Sequence, residues 1–230
     1  DCLLSRGLGD VYKRQGLYED QKQGEKVKVT CTKSNEGFAT AGGVQYVACA
    51  GNFKDAGLEY TGALKVLQMI FSYEYLWIQI RVKGGAYGCM CSFSDQGDSM
   101  FVTYRDPNLS ESYKVYDEAA DYVADFDADD RDMKKYIIGT IGSMDMPMEA
   151  VDMGARSFHA YFLGKTEADL QKVRDQVLSC TQEDIRALAP IVKAVVEAGN
   201  RCCIGNEEKI DQNKDCLLYT SPSPRDKRQS

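Results

Sequence analysis

The sequence predicts an α+β fold, in which helices cover a largely antiparallel β-sheet. Three observations support this prediction. Two early segments alternate apolar and polar residues, as strands do when one face is buried. A long apolar segment then leads into a second pair of strand-like segments. Most of the remaining chain repeats its apolar residues at helical spacing, and this order of elements is typical of helices and strands layered around a core.

The first predicted elements are two strands and a helix. Lys26–Thr32 and Gly43–Ala50 alternate apolar residues and predict strands. Leu58–Ile80 carries apolar side chains near helical spacing, with further apolar residues between them, and predicts a largely buried helix. Gly84 and Gly85 follow directly, so we expect the helix to end there.

A β-hairpin is predicted next. Tyr87–Phe93 and Met100–Arg105 flank a polar turn that contains a glycine, which is typical of two antiparallel strands. The sequence at 106–108, Asp-Pro-Asn, stops the second strand. Asn108 or Ser110 can then cap the next helix.

The second half of the chain predicts several helices and a returning strand. The predicted helical faces contain Tyr113, Tyr116, Ala120 and Val123, and then Met133, Ile137, Thr140, Ile141 and Met144. A further helix covers 147–163, and capping-box-like starts lie at Thr166 and Thr181. Pro190 either kinks the last helix or starts a new one. Residues 201–204 predict a short strand.

Composition limits the classes of function. The chain has 230 residues, 43% of them hydrophobic, which suffices for one or two domains with a core. Its formal net charge of −7 argues against nucleic acid, because phosphate binding needs clustered Lys and Arg. No apolar run approaches the roughly 20 residues that span a bilayer. The nine irregularly spaced cysteines favour reduced thiols in a cytosolic setting.

We interpret the two ends of the chain as different in origin from the rest. Asp10–Gln15 and Cys216–Ser221 match translations of complementary strands of a transposon-type sequencing adapter. We therefore predict adapter-derived artefacts at 1–15 and 215–230, and one α+β domain at 16–214. On this interpretation the native gene extends beyond both ends.

The usual metal and phosphate motifs do not fit the sequence. The one histidine, His159, lies outside any His-Glu-x-x-His or inverted arrangement. Cys89 with Cys91, and Cys202 with Cys203, have strand spacing rather than that of a zinc turn, so small buried thiols are favoured. The glycines at 84–88 lack the Gly-Lys-Ser/Thr of a phosphate loop. The aspartates at 125–130 lack the glycine and glutamate of a calcium loop.

Arg81 and Tyr87 are the remaining candidates, and their pattern alone leaves two interpretations open. Arg81 can stabilise a helix C-terminus, and Tyr87 can be a half-buried strand aromatic. Alternatively, the junction between a helix end and a strand start directs a guanidinium and a phenol into one space. Such a pair is suited to holding an extended peptide backbone.

The stretch YLWIQIRVKGGAYG, residues 75–88, resembles the insulinase (pitrilysin-type) zinc peptidases, and within them the presequence-protease branch. Further blocks resemble this branch in the same order: Asn35–Phe38, Val44–Val47, Gly51–Phe53, Tyr104–Asn108, Lys135–Thr140, Glu183–Leu188 and Ile204–Glu208. The resemblance covers roughly 30–210.

The resemblance implies a LuxS/pitrilysin-like α/β sandwich, equivalent to the fourth, C-terminal domain of a zinc metallo-oligopeptidase. It implies that Arg81 and Tyr87 stabilise the transition state, and that both bind substrate together with Gly84 and Gly85. The zinc would be bound by the missing N-terminal half, with no metal in this chain. The implied partners are that half and unfolded peptides, with neither nucleic acid nor membrane.

Two further expectations follow from the resemblance. The isolated chain should be inactive, because the zinc motif is not in it. The alternative is a non-catalytic peptide-binding or scaffolding subunit of the same fold. A bacterial parent would be cytoplasmic, and a eukaryotic one could occupy an organelle matrix.

Overall fold

A computed structural model describes residues 35–213 and 217–220, which contain one mixed β-sheet. Its strands are β1 (Glu36–Thr40), β2 (Tyr46–Asn52), β3 (Gly88–Phe93), β4 (Asp98–Tyr104), β5 (Asn200–Asn206) and β6 (Leu218–Thr220). Their order is β3-β4-β2-β5-β1-β6. The β3–β4, β4–β2 and β2–β5 pairs are antiparallel, and β1 is parallel to both of its neighbours. The predicted α+β fold with a largely antiparallel sheet is confirmed.

The helices follow the sequence predictions in most places. They are α1 (Ala63–Tyr73), α2 (Ser110–Asp117), α3 (Ala119–Ala124), α4 (Asp130–Met144), α5 (Ala150–Phe162), α6 (Glu167–Leu178), α7 (Gln182–Arg186), α8 (Ala189–Glu197) and α9 (Glu207–Asp211), with a short 3-10 helix at Phe53–Ala56 and a π-helix at Trp77–Lys83. Both capping boxes, at Thr166 and Thr181, are present. Pro190 lies in the first turn of α8, so it starts a helix rather than kinking one.

The hydrophobic core lies between one face of the sheet and the helices. Val47, Phe101 and Cys203 point into it from three neighbouring strands and are fully buried. The opposite face of the sheet carries large apolar side chains that remain partly exposed: Phe38, Tyr46, Met90, Met100, Tyr104 and Ile204. Along the first part of β2, buried residues alternate with more exposed ones, which is the pattern that the sequence predicted for this strand.

The predicted continuous helix at 58–80 is wrong, because the helix changes form at Glu74. α1 ends at Tyr73, and the chain continues into the π-helix. An uninterrupted α-helix would have turned Glu74 and Ile78 towards the core, since both continue the spacing of the buried α1 residues. The altered winding buries Leu76 and Ile80 instead. The Glu74 carboxylate therefore stays partly exposed at the edge of the core, where it accepts a hydrogen bond from the Tyr136 hydroxyl at 3.0 Å.

Three other predictions need correction or comment. Leu109 occupies the N-cap position of α2 and provides no side-chain bond, so capping by Asn108 or Ser110 is wrong. β1 was missed, because Glu36–Thr40 has too little alternation to stand out. The predicted strand at Lys26–Thr32 lies outside the described residues.

β6 lies within the segment that the sequence analysis set aside as adapter-derived. Its backbone pairs in parallel with β1, and Glu36 lies opposite Leu218. The predicted origin of 1–15 and 215–230 stays a prediction. Among the described helices, none combines the length and the apolar character needed to traverse a membrane.

Candidate functional site

Arg81 and Tyr87 are positioned by a loop that ends the π-helix and begins β3. The π-helix places Arg81 in its last turn, and Tyr87 lies one residue before β3. Three backbone bonds close the turn between them. Gly84 N–H donates to Gln79 O at 3.0 Å, Gly85 N–H to Arg81 O at 3.1 Å, and Ala86 N–H to Ile80 O at 3.1 Å. π-Turns are frequent at functional sites, and here one brings the guanidinium and the phenol together.

Glycine is needed at two positions of this loop, and the physical reason differs between them. Gly85 has a φ of 79°, a left-handed conformation that other residues adopt at a cost. Gly84 has ordinary helical angles, but a Cβ there would lie 2.5 Å from the Ile80 carbonyl oxygen. The carbonyl of Gly84 also accepts a bond from Asn108 Nδ2 at 2.6 Å, which ties the loop to the segment after β4.

An open cavity of about 520 Å³ lies beside this loop. It is lined by Arg81, Val82, Gly85, Ala86, Tyr87 and Arg105. The Arg81 guanidinium carbon lies 4.6 Å from the Trp77 ring centre and 5.5 Å from that of Tyr87. Cation–π contacts of this kind hold the guanidinium in place while leaving its N–H donors available to a ligand.

The phenol of Tyr87 is exposed but supported. Its side chain is 64% exposed, and its ring packs edge-on against Tyr104 at 5.8 Å between centres. Tyr104 packs in the same way against Tyr46 at 5.4 Å. The three rings form a row across the open face of the sheet, so the position of Tyr87 is set by packing as well as by its backbone.

Arg105 also lines the cavity, although it was not among the site residues predicted from the sequence. The β2–β4 register, with Ala48 opposite Val102, would place Gln45 opposite Arg105. Gln45 instead pairs with Asp106 through two backbone bonds of 2.7 and 2.8 Å. Arg105 is therefore an extra, bulged residue, and its φ of 49° lies in the left-handed region. β-Bulges redirect side chains and are over-represented next to active sites.

A buried carboxylate stabilises the segment that follows the bulge. Asp106 is fully buried, and its Oδ2 accepts a bond from the Ser112 hydroxyl at 2.6 Å. Its Oδ1 accepts from the Asn108 backbone N–H at 2.9 Å. Gln45, also fully buried, donates from Nε2 to the Asp106 carbonyl at 3.1 Å. This network fixes the ends of β2 and β4, and with them the bulge.

The cavity has positive charge, and no acidic side chain is among the described residues that line it. Among the described residues, no carboxylate forms an ion pair with Arg81 or Arg105. Arg105 does lie near the Tyr104 ring, 5.6 Å from its centre. Two guanidinium groups beside one open cavity, in a chain with a net charge of −7, create a local preference for carbonyl oxygens and anions.

The cysteines next to the site behave as core thiols. Cys89 and Cys91 lie on the core-facing side of β3, as expected from their spacing. Burial raises the pKa of the Cys89 thiol to about 11, partly opposed by the positive charge of Arg81. Burial raises the pKa of Cys91 further. Within the described residues, no group of three or more His, Cys, Asp or Glu side chains could hold a metal ion.

The structure brings Arg81, Gly85 and Tyr87 together around one cavity. Gly84 belongs to the same loop, where it allows the tight turn, but it does not line the cavity. His159 lies on α5 and is not among the described residues that line this cavity. The roles of Arg81 and Tyr87 in substrate binding and catalysis stay predictions. Arg105 was the last residue of the predicted strand Met100–Arg105, and no local signal in the sequence separates it from the other residues of that strand.

Comparison with known proteins gives a family match over most of the chain. The family described as "PreP C-terminal domain" matches residues 35–206. Protein HypA of Clostridium perfringens is 44% identical over 80% of this chain. Presequence protease 1, chloroplastic/mitochondrial, of Arabidopsis thaliana is 34% identical over 77% of it. These matches cover 19% and 16% of the two relatives, so the chain spans less than a fifth of their length.

The solved structures share the fold. The crystal structure of a peptidase M16 inactive domain from Pseudomonas fluorescens superposes with a TM-score of 0.55 at 14% identity, over 86% of this chain and 48% of that one. At this identity the match supports the architecture only. The family match and the two relatives confirm the resemblance that the sequence blocks indicated.

Proposed function

Because the chain belongs to the PreP C-terminal domain family of insulinase-type peptidases, we propose that it is the non-metal-binding domain of a larger zinc oligopeptidase. In this proposal the parent protein degrades unstructured peptides. The part of the parent outside this chain binds the zinc. Arg81 and Tyr87 contact the peptide backbone and the oxyanion that forms during hydrolysis.

One observation carries the proposal: Arg81 and Tyr87 share a single open cavity, with the guanidinium carbon 5.5 Å from the Tyr87 ring centre. Attack of water on a peptide carbonyl places negative charge on its oxygen. Donors fixed beside that oxygen stabilise the transition state more than the substrate, and this difference accelerates the reaction. The guanidinium and the phenol both provide such donors near neutral pH.

The geometry around the pair supports preorganisation. Arg81 is held between the Trp77 and Tyr87 rings, and Tyr87 rests on Tyr104. Side chains held by packing need little reorganisation when a substrate arrives, so more of their interaction free energy lowers the barrier. Because the zinc would lie on another part of the parent, catalysis would require that part to close over this cavity.

The test is Arg81→Ala in the full-length parent, encoded at the uninterrupted genomic locus. We expect kcat for an unstructured peptide to fall about 10²- to 10³-fold, the usual cost of losing one oxyanion donor. Lys83→Ala is the matched control, because Lys83 lies on the same π-helix, is not among the described residues that line the cavity, and donates a hydrogen bond to Gln79 Oε1 at 3.2 Å. An unchanged kcat in Arg81→Ala would remove Arg81 from the mechanism.

The same experiment separates the alternative function. If the full-length parent binds the peptide without cleaving it, and Arg81→Ala weakens that binding, a non-catalytic peptide-binding subunit is the better description. We also propose a bacterial cytoplasmic location, and the similarity to a Clostridium perfringens protein supports the bacterial origin in this proposal. Cell fractionation of the full-length parent would test this location.

A further inference from the structure

We infer that Arg105 forms a carboxylate-binding subsite beside the Arg81–Tyr87 pair, so that the parent prefers peptides with a carboxylate near the scissile bond. The inference rests on the proposed function and specifies its substrate class. The carboxylate can come from two sources, the C-terminus of a short peptide or an acidic side chain. Both offer the same pair of oxygens to a guanidinium.

The backbone at Arg105 is the first argument. An arginine in the left-handed region is unfavourable, and glycine or asparagine would be accommodated more readily at a φ of 49°. Residues in such conformations cluster where the side chain has a function that outweighs the strain. Here the bulge places Arg105 on the cavity wall, and its carbonyl accepts the Tyr87 N–H at 3.2 Å. The same residue thus contributes a side chain to the cavity and a hydrogen bond to Tyr87.

The absence of a carboxylate partner for Arg105 among the described residues is the second argument. In residues 35–213 and 217–220, the Arg105 guanidinium makes no ion pair, and its recorded contact is with the exposed ring of Tyr104. The adjacent carboxylate, Asp106, is buried and already bonded to Ser112 and Asn108. Because a contact with an aromatic ring leaves the guanidinium N–H donors free, Arg105 can donate to a ligand.

The arrangement of the two arginines is the third argument. If Arg81 and Tyr87 contact the reacting carbonyl, a second cation on the same cavity wall meets a neighbouring part of the peptide. A neutral backbone would leave that cation without a matching charge. A carboxylate would form a charge-assisted pair with it, which is stronger than a neutral hydrogen bond.

The experiment compares peptides and variants in the full-length parent. Three otherwise identical unstructured peptides are used: one with a free C-terminus and an internal Glu, one amidated at the C-terminus, and one with Glu→Gln. We expect wild type to cleave the first peptide with a kcat/KM about tenfold above that of at least one of the other two, each of which lacks one of its carboxylates. If amidation lowers kcat/KM, the recognised carboxylate is the C-terminus. If Glu→Gln lowers kcat/KM, it is the acidic side chain.

Arg105→Gly is the informative variant, because glycine suits the left-handed backbone and keeps the bulge while removing the guanidinium. In this variant, we expect the kcat/KM of the first peptide, divided by that of the peptide that lacks the recognised carboxylate, to fall towards one. Arg105→Lys should retain part of this preference. Thermal unfolding of Arg105→Gly should show a midpoint at or above that of wild type. A variant that is folded and keeps the full ratio would overturn the inference.

The outcomes distinguish this inference from the function on which it rests. If wild type cleaves the peptides, and Arg81→Ala slows it, but no carboxylate preference exists, only the Arg105 subsite is wrong. If kcat/KM for all three peptides falls equally in Arg105→Gly, Arg105 acts by supporting Tyr87, and the subsite is again wrong. If the full-length parent neither binds nor cleaves any of the peptides, both proposals fail.

Discussion

Two surfaces of this domain expose aromatic residues, and they are supported in different ways. At the cavity, Tyr87 has its backbone bonded to Arg105 and its ring packed on Tyr104. On α5, Phe158 and Tyr161 are 67% and 80% exposed, and no side chain of that helix is buried. Exposure of an aromatic ring therefore does not mark a site by itself. The distinguishing feature is the buried polar network behind the cavity, which α5 does not have.

The largest expected difference between the two surfaces comes from removing a carboxylate. Asp106→Ala leaves the Ser112 hydroxyl and the Asn108 N–H without their acceptor, so we expect a loss of about 3 kcal/mol in the free energy of unfolding. Asp152→Ala, in the exposed first turn of α5, should cost less than about 1 kcal/mol through its helix-dipole interaction. Urea unfolding of both variants measures this. Equal losses would show that the hydrogen-bond network of Asp106 does not stabilise the cavity.

Replacement of a glycine by alanine should change the free energy of unfolding in opposite directions on the two surfaces. In Gly84→Ala, the new Cβ meets the Ile80 carbonyl, so we expect a loss of about 1–3 kcal/mol. In Gly154→Ala, nothing lies within 4 Å of the new Cβ, so alanine should stabilise α5 by about 0.5–1 kcal/mol. Thermal or urea unfolding distinguishes the two. A stabilised Gly84→Ala would mean that the loop is looser than its hydrogen bonds indicate.

The smallest expected effect reports on the position of Arg81 without any substrate. Because the pKa of Cys89 is about 11 instead of 9.0, its alkylation should speed up about tenfold per pH unit until about pH 11. The positive charge of Arg81 stabilises the thiolate, so Arg81→Gln should raise this pKa and move the midpoint of the profile to higher pH, by at most about one unit.

Mass spectrometry of the Cys89 peptide, after alkylation across a pH series, gives this midpoint separately from accessibility. Lys83→Gln is the control, because it removes a cation from the same helix without changing the charge at Arg81. A midpoint that moves to lower pH in Arg81→Gln would show that the guanidinium does not lie near β3.

Local sequence signals explain the elements that were predicted well. The hairpin of β3 and β4 needs only alternation and a short polar turn, and both are contiguous in the chain. The capping boxes at Thr166 and Thr181 likewise involve residues three positions apart. The clustering of Arg81 with Tyr87 is of the same kind, since a short glycine-containing turn joins them.

Elements that depend on distant residues were missed. The π-helix arises because the core accepts Leu76 and Ile80 rather than Glu74 and Ile78, a choice made by the sheet and helices around it. The Arg105 bulge exists because Gln45 pairs with Asp106, sixty-one positions away along the chain. No local pattern around Arg105 contains that information.

The sequence by itself determined the α+β class, the family, and a guanidinium and a phenol near one glycine turn, because period, capping and turn chemistry act between near neighbours. Only the tertiary structure decided that the turn ends a π-helix, that Arg105 shares the cavity, and that α5 stays exposed. These features depend on which surfaces pack together, since packing selects among several locally acceptable conformations.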